Sequence, residues 1–310
     1  MIPSCIIGQQ LVAAAKIDLL IAILSQLPTA SLLPLVGVSH RFYAATLRIL
    51  KQRLHDALTR PDQRLMLECY HPAEKLTTPY LFCNYLRTDS FAGMEAAAEG
   101  HPPPPEEVGA GLRGIYSHFR PVEHDGSQGQ QPRSRRARPP VRPSAPGTLA
   151  ERPAVDVYLD GDESFAQLCA TTNLVRLSAR PGLFRGHVNV GDGVVRVWRE
   201  WLVEQAQAQA QGQTPEAKGE VGVLWADAAR DVGLRFRVAE QDVRDQHPVL
   251  VGSGETLPAA YRLEFDELLV RSSALLVGAE KAAAQAAQAG AAVSATAADA
   301  EGKAIVLASF

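Results

Sequence analysis

Paired cysteines are missing from this chain. Cys5, Cys69, Cys83 and Cys169 are scattered, without a CxxC pair or a matching histidine spacing. That pattern argues against a disulfide framework and points to free thiols in a reducing compartment. Cys69 lies close to His71, but a zinc quartet needs a second close pair, and the histidines offer no HxxxH spacing. An excess of one charge is missing too: the net charge is −3, so no overall field favours nucleic acid or an anionic membrane. Residues 1–15 carry no basic start, and Gln9, Gln10 and Lys16 interrupt the apolar stretch, which speaks against a secretory signal. The expected location is cytoplasmic and/or nuclear.

Catalytic patterns are scarce as well. Ser164 sits in a Gly-Asp-Glu-Ser-Phe run that lacks the second glycine of a nucleophile elbow. The run from Gly252 to Thr256 is glycine-rich, but no lysine follows and no helix opens there to hold a phosphate, so it reads as a polar turn. The acidic pairs Asp160/Asp162 and Asp266/Glu267 fall at apparent turns or strand ends, where solvated charge is the default. His187 falls on a strand as a structural histidine. No catalytic residue, cofactor or metal ligand is therefore expected, and the chain is read as a non-enzyme.

What the sequence does contain is a hydrophobic run broken into helical pieces over residues 17–54. Asp18 suits a first helical turn, and Leu19, Leu20, Ile23, Leu24 and Leu27 recur at helical spacing. Pro28 removes a backbone donor and cannot continue that helix. Ser31, Leu32, Leu33 and Val36 form a second, very short piece cut by Pro34 and Gly37. Ser39 then suits the N-cap of a third helix reaching about Leu54, with Phe42, Ala45 and Ile49 on one stripe. The segment from Leu19 to Ser39 carries no formal charge, and a membrane span needs roughly 20 apolar residues. Pro28, Pro34 and five polar residues within it oppose that reading, since a bilayer would have to accept broken backbone. A helical hairpin belonging to the core of a larger domain is the other alternative left open by periodicity.

The composite order Asp18-Leu19-Leu20, Ile23-Leu24, Leu27-Pro28, Leu32-Leu33, Val36, Val38-Ser39, Arg41-Phe42 and Leu50 resembles an F-box. It departs from the family at its start, where Ala15-Lys16-Ile17-Asp18 stands in place of the usual Leu-Pro and acidic residue. The resemblance implies docking onto the Skp-family adaptor of an SCF-type ubiquitin ligase, and through it onto a cullin-RING ligase. The residues implied in adaptor binding are Leu19, Leu20, Ile23, Leu24, Leu27, Pro28, Leu32, Leu33, Val36, Val38, Arg41 and Phe42. The chain would be a substrate receptor for an unknown protein, with neither membrane nor nucleic acid as a partner. The alternative is a ligand-binding or enzymatic β-rich domain whose N-terminal helices are only structural.

Beyond an N-terminal segment (1–16) and the F-box-like helical domain (17–60), residues 61–280 read as a β-rich substrate-recognition domain. Arg64 to His71 and Tyr80 to Arg87 are short apolar, aromatic-rich runs bounded by prolines and are expected as extended segments. Residues 125–153 hold little to bury and a cluster of arginines, Arg133, Arg135, Arg136 and Arg138, without interleaved aromatics; a disordered, solvated loop is expected. Strands are expected at 155–159, 174–177, 183–190 and 194–202, with Gly191-Asp192-Gly193 as a tight hairpin joining the last two. Val221 to Trp225 follows a Gln/Ala-rich insert (204–219), which is either a helical extension or a floppy loop. Val232 to Val238 and Tyr261 to Phe265 alternate as half-buried strands. Leu268 to Val277 is ordered, strand or helix undecided, and the Ala-rich stretch 281–310 is expected as a mobile tail. The expected fold class is α+β: a small N-terminal three-helix F-box, then a β-rich domain with a long disordered loop. This whole arrangement is similar to uncharacterised F-box proteins of filamentous fungi, on Leu67 to Pro72, Thr78 to Cys83, Tyr116 to Pro121, Val195 to Leu202 and Tyr261 to Arg271.

Overall fold

The computed structural model describes residues 17–75, 78–89, 114–123, 152–178, 183–211, 222–241 and 257–296. Residues 17–24 form helix α1. Pro28, held extended at φ −65° and ψ 155°, separates it from the short helix α2, Thr29–Leu32. A 3-10 turn follows at Leu33–Gly37, opened by Pro34. Helix α3, His40–Thr59, starts at Ser39, whose hydroxyl accepts the Phe42 amide at 3.4 Å. No described helix is long and apolar enough to cross a membrane.

The strands are β1 (Gln63–Tyr70), β2 (Leu81–Thr88), β3 (Tyr116–Val122), β4 (Ala154–Leu159) and β5 (Phe165–Leu177). Next come β6 (Phe184–Trp198), helix α4 (Arg199–Ala210), β7 (Leu224–Trp225), β8 (Val232–Gln241), β9 (Ala259–Arg271) and helix α5 (Ser272–Thr296). They build one antiparallel sheet in the order β6-β5-β1-β2-β3-β9-β8-β7. Along one edge of β9, β4 pairs with the first half (Ala154 opposite Glu264) and β3 with the second (Tyr116 opposite Arg271). The fold class is mixed α+β.

The sheet curls until its ends approach. A Cβ on Gly193 of β6 would lie 2.0 Å from the Ala226 carbonyl oxygen just after β7, and one on Gly191 would lie 2.6 Å from Val232 Cγ2 of β8. This overturns the expected hairpin at Gly191-Asp192-Gly193. The three residues lie inside the continuous strand β6, pairing with Thr172, Thr171 and Ala170 of β5, next to a register shift at Thr172/Asn173. The glycines serve close backbone approach across the seam rather than a turn.

Strand alternation assigns the two faces. On β1, Leu65, Leu67 and Cys69 enter the main core, whereas Met66 turns outward to a smaller cluster with Phe82 and Val175. Tyr80, Phe82 and Phe184 meet edge to face in that outer cluster, at centroid separations of 5.5–6.4 Å. The main core also takes Tyr43, Leu47, Leu50 and Leu54 from α3 and Leu275, Leu276 and Ala282 from α5. One stripe of α3, together with α4, α5 and the inner face of the sheet, thus shares one hydrophobic core.

Two further expectations are corrected. Residues 199–202, expected as the end of a strand, open α4, and the Gln/Ala-rich insert continues that helix to Ala210; residues 212–219 lie outside the described residues. The stretch expected as a mobile tail is helical to Thr296, with Ala282 buried; alanine has the strongest helix propensity, so the composition supports a helix docked by a few contacts. Leu268 to Val277 divides, strand through Arg271 and helix from Ser272. Residues 125–151 of the expected loop lie outside the described residues, while the Pro153 carbonyl accepts the Phe265 amide at 2.9 Å.

Candidate functional site

The N-terminal helices are held together by one ionic clasp. A helix ends with unsatisfied carbonyls and begins with unsatisfied amides. Arg53 of α3 reaches back to donate from Nη2 to the Ser25 and Leu27 carbonyls, at 2.8 and 2.6 Å, beyond the end of α1. Its Nη1 lies 2.8 Å from Glu280 Oε1 of α5. Glu280 in turn accepts the Thr29 amide at 3.0 Å and the Thr29 hydroxyl at 2.5 Å, covering the start of α2. Pro28 cannot supply that cap, because it has no side-chain oxygen. Asp18 and Arg48 approach at 3.8 Å, but both are largely exposed and contribute little.

The twelve residues implied by the resemblance divide into an inner and an outer set. Leu24 and Leu32 are buried, and Ile49 and Ala45 of α3 complete their cluster; Leu20, Leu27 and Phe42, half-buried, pack against it. Val36 is buried in the main core and Leu33 packs on that core. Pro28 and Arg41 are exposed. Leu19 and Ile23, one helical turn apart on α1, are 66% and 67% exposed, and Val38 is 62% exposed. A contact face in the fold as it stands can use the outer set directly, whereas Leu24, Leu32 and Val36 only build its support.

A second cluster lies within the sheet, where sequence reasoning expected solvated charge. Glu267 of β9 is 6% exposed and is surrounded by basic side chains from three other strands. Arg235 Nη1 (β8) and Arg87 Nη1 (β2) each donate to it at 2.6 Å, and His118 Nδ1 (β3) lies 3.2 Å away. His118 Nε2 lies 2.9 Å from Asp89, so the imidazole bridges two carboxylates. Burial works to raise the Glu267 pKa, but the hydrogen bonds and charges of His118 and Arg87 prevail and hold it at about 2. Burial works to lower that of His118, and its bonds to Asp89 and Glu267 raise it instead. Glu267 is thereby fixed as an ionised acceptor, which suits joining β2, β3, β8 and β9 better than taking a proton from a substrate. Asp266 pairs with Arg152 and with Arg237, the latter at 3.3 Å.

The remaining candidates are dispersed. Ser164 is exposed, and its carbonyl accepts the Arg199 amide at 2.8 Å; Asp160 accepts from the Arg199 guanidinium through its carbonyl. His71 Nδ1 accepts the Ala73 amide at 3.3 Å, and burial, aided by Cys169, pushes the Cys69 thiol up to about 12. His187 is exposed on β6, and the Gly252–Thr256 run lies outside the described residues. No group of three His, Cys, Asp or Glu able to hold a metal converges among the described residues. No protein-family model, curated protein or solved structure matches this chain.

Proposed function

We propose that the chain is a substrate receptor of a ubiquitin ligase, docking on a Skp-family adaptor through its N-terminal helices. The observation that carries this reading is the exposure of Leu19, Ile23 and Val38, three large apolar side chains within the stretch that resembles an F-box. Apolar side chains left exposed in one stretch are available to a partner. The inner set of the same stretch supports the reading by giving these residues a fixed base. The β-rich body then presents a protein substrate, and the bond-making chemistry belongs to a conjugating enzyme brought by the ligase. Such a receptor works in the cytoplasm or nucleus.

The test is binding of a recombinant Skp-family adaptor to the purified chain by calorimetry. A saturable complex, lost in the Leu19→Asp/Ile23→Asp double variant, is expected, because two carboxylates would be desolvated without partners. Absence of binding by the unaltered chain would remove the proposal. A second reading is favoured by Tyr43, Leu47, Leu50 and Leu54, which place α3 in the same core as the sheet. Under it the helices only complete the β-rich body, and no adaptor copurifies.

A further inference from the structure

Strand β8 is covered unevenly on the side away from β9. β7 pairs with it only at Leu234 and Gly233, and no described strand covers that edge from Phe236 to Gln241. Gly222 falls opposite Phe236 in the same register, but its φ of 73° lies in the left-handed region, so β7 does not extend along the edge. The Val238 amide is met instead by a side chain, Gln209 Oε1 of α4, at 3.0 Å. In an antiparallel ladder the backbone groups of alternate residues face the same side. Val238 and Glu240 pair with Leu263 and Tyr261 without a register shift between them, so the amide and carbonyl of Glu240 also face the open edge.

Along this edge lies a groove of about 640 Å³. One wall is α4, through Val203, Ala206 and Ala210, and the other is Val238, Ala239 and Glu240. Successive strand residues point to opposite faces, so a groove touching all three follows the edge itself rather than either face. An open edge is a template for another strand, and an extended peptide is the ligand whose backbone answers it. Gln209 stands where the carbonyl of such a strand would stand. Its own Nε2 is buried without a hydrogen-bond partner among the described residues, so this cap is incomplete and open to exchange. The Glu240 carboxylate is exposed and makes no hydrogen bond or ion pair with a described residue, which favours a basic side chain opposite it.

We propose that this edge binds an extended peptide segment of a partner protein, added as an antiparallel strand between β8 and α4. The peptide residue opposite Glu240 exchanges both backbone hydrogen bonds with it and, being basic, also meets its carboxylate. Two positions later a branched apolar residue takes its place beside Val238, against the small side chains of Ala206 and Ala210, and its carbonyl replaces Gln209 at the Val238 amide. In the substrate-receptor reading this is where a substrate segment is held. The binding itself needs neither adaptor nor ligase and involves no residue of the N-terminal helices, so it is tested without them.

The test uses the purified full chain and the fluorescein-labelled peptide Thr-Lys-Thr-Val-Thr-amide, followed by fluorescence anisotropy. Saturable binding at one site is expected. Methylating the lysine backbone nitrogen removes the donor to the Glu240 carbonyl and should weaken binding about ten-fold. Glu240→Pro removes an amide that makes no bond to β9, so circular dichroism and the melting curve should be retained while binding falls by a similar factor. Glu240→Gln should weaken this peptide several-fold and leave a version with threonine in place of lysine unaffected. No binding by the unaltered chain would overturn the proposal. So would binding indifferent to N-methylation, which reads the same contact from the peptide side even where Glu240→Pro fails to fold. Self-association of the free chain that Glu240→Pro abolishes would overturn it as well, with a second copy then the occupant of the edge.

Discussion

Arg53 Nη1 and Glu280 Oε1 lie 2.8 Å apart although 227 residues separate them in the chain. The contact ties the first helices to the last one and supplies the cap that Pro28 withholds from α2. Their side chains are 21% and 33% exposed, so water screens part of the attraction. Glu280→Gln should cost about 1–2 kcal/mol in urea unfolding, mainly through weakened charge-assisted hydrogen bonds. An Arg53→Met/Glu280→Gln double-mutant cycle should show a coupling of about 1 kcal/mol. A coupling indistinguishable from zero would dismiss the clasp as a stabilising element.

Stability should depend on pH through the Glu267 cluster, with opposite signs for its members. The folded-state pKa of Glu267 is about 2 against an ordinary 4.5. Its contribution is complete above the ordinary value and is lost as pH falls from there through about 2; Asp89, also lowered, adds to the same acid limb. His118, raised from 6.5, contributes fully below that value, and this share fades as pH rises through the folded-state pKa. Urea unfolding followed from pH 2 to 9 should trace both limbs, and His118→Gln should flatten the upper one. Glu267→Gln should cost about 3–5 kcal/mol at pH 7, since buried Arg235 is left without its full counter-charge.

The closed seam can be tested with two glycines of the same strand. Gly193→Ala would drive a methyl group against the Ala226 backbone, which cannot rotate away, and should destabilise by about 1–3 kcal/mol or more. Gly186→Ala meets only the Arg176 side chain, at 3.7 Å, and should be nearly neutral. Equal chemical denaturation midpoints for the two variants would contradict the close approach of β6 to the end of β7.

Adaptor binding and folding should separate along the inner and outer sets of the helical stretch. Leu19→Asp/Ile23→Asp should abolish adaptor binding and leave the thermal midpoint nearly unchanged. Leu27→Asp/Leu33→Asp should instead lower the midpoint strongly, because both positions pack against hydrophobic clusters. A pair of melting curves, read beside adaptor calorimetry, distinguishes a contact residue from a packing residue.

Much of the secondary structure was legible because its signals are local. Alternation in Val232 to Val238 and Tyr261 to Phe265, and the breaks at Pro28, Pro34 and Ser39, located β8, β9 and the N-terminal helices α1 to α3. The failures came where a local pattern has two physical meanings. Gly191-Asp192-Gly193 matches hairpin chemistry, yet its glycines answer contacts from Ala226 and Val232, further along the chain. Leu268 to Val277 is apolar on both sides of Arg271-Ser272-Ser273, and only the pairing of β9 with β3 and β8 ends the strand at Arg271. The Glu267 cluster was invisible because its partners, Arg235, His118 and Arg87, lie 32, 149 and 180 residues away.

The position of β9 imposes an order in time. It is the last of the described strands to be synthesised, yet it lies between β3 and β4 on one side and β8 on the other. As the chain leaves the ribosome, β3 must wait for β9 across more than a hundred residues. At translation rates of about 5–20 residues per second, the delay is on the order of ten seconds. Throughout that interval the backbone edge of β3 that β9 will later cover can pair with a neighbouring nascent chain. Production of the protein should therefore be sensitive to holdase chaperones and to polysome crowding, and a stall before residue 259 should yield aggregates rather than a soluble truncated body.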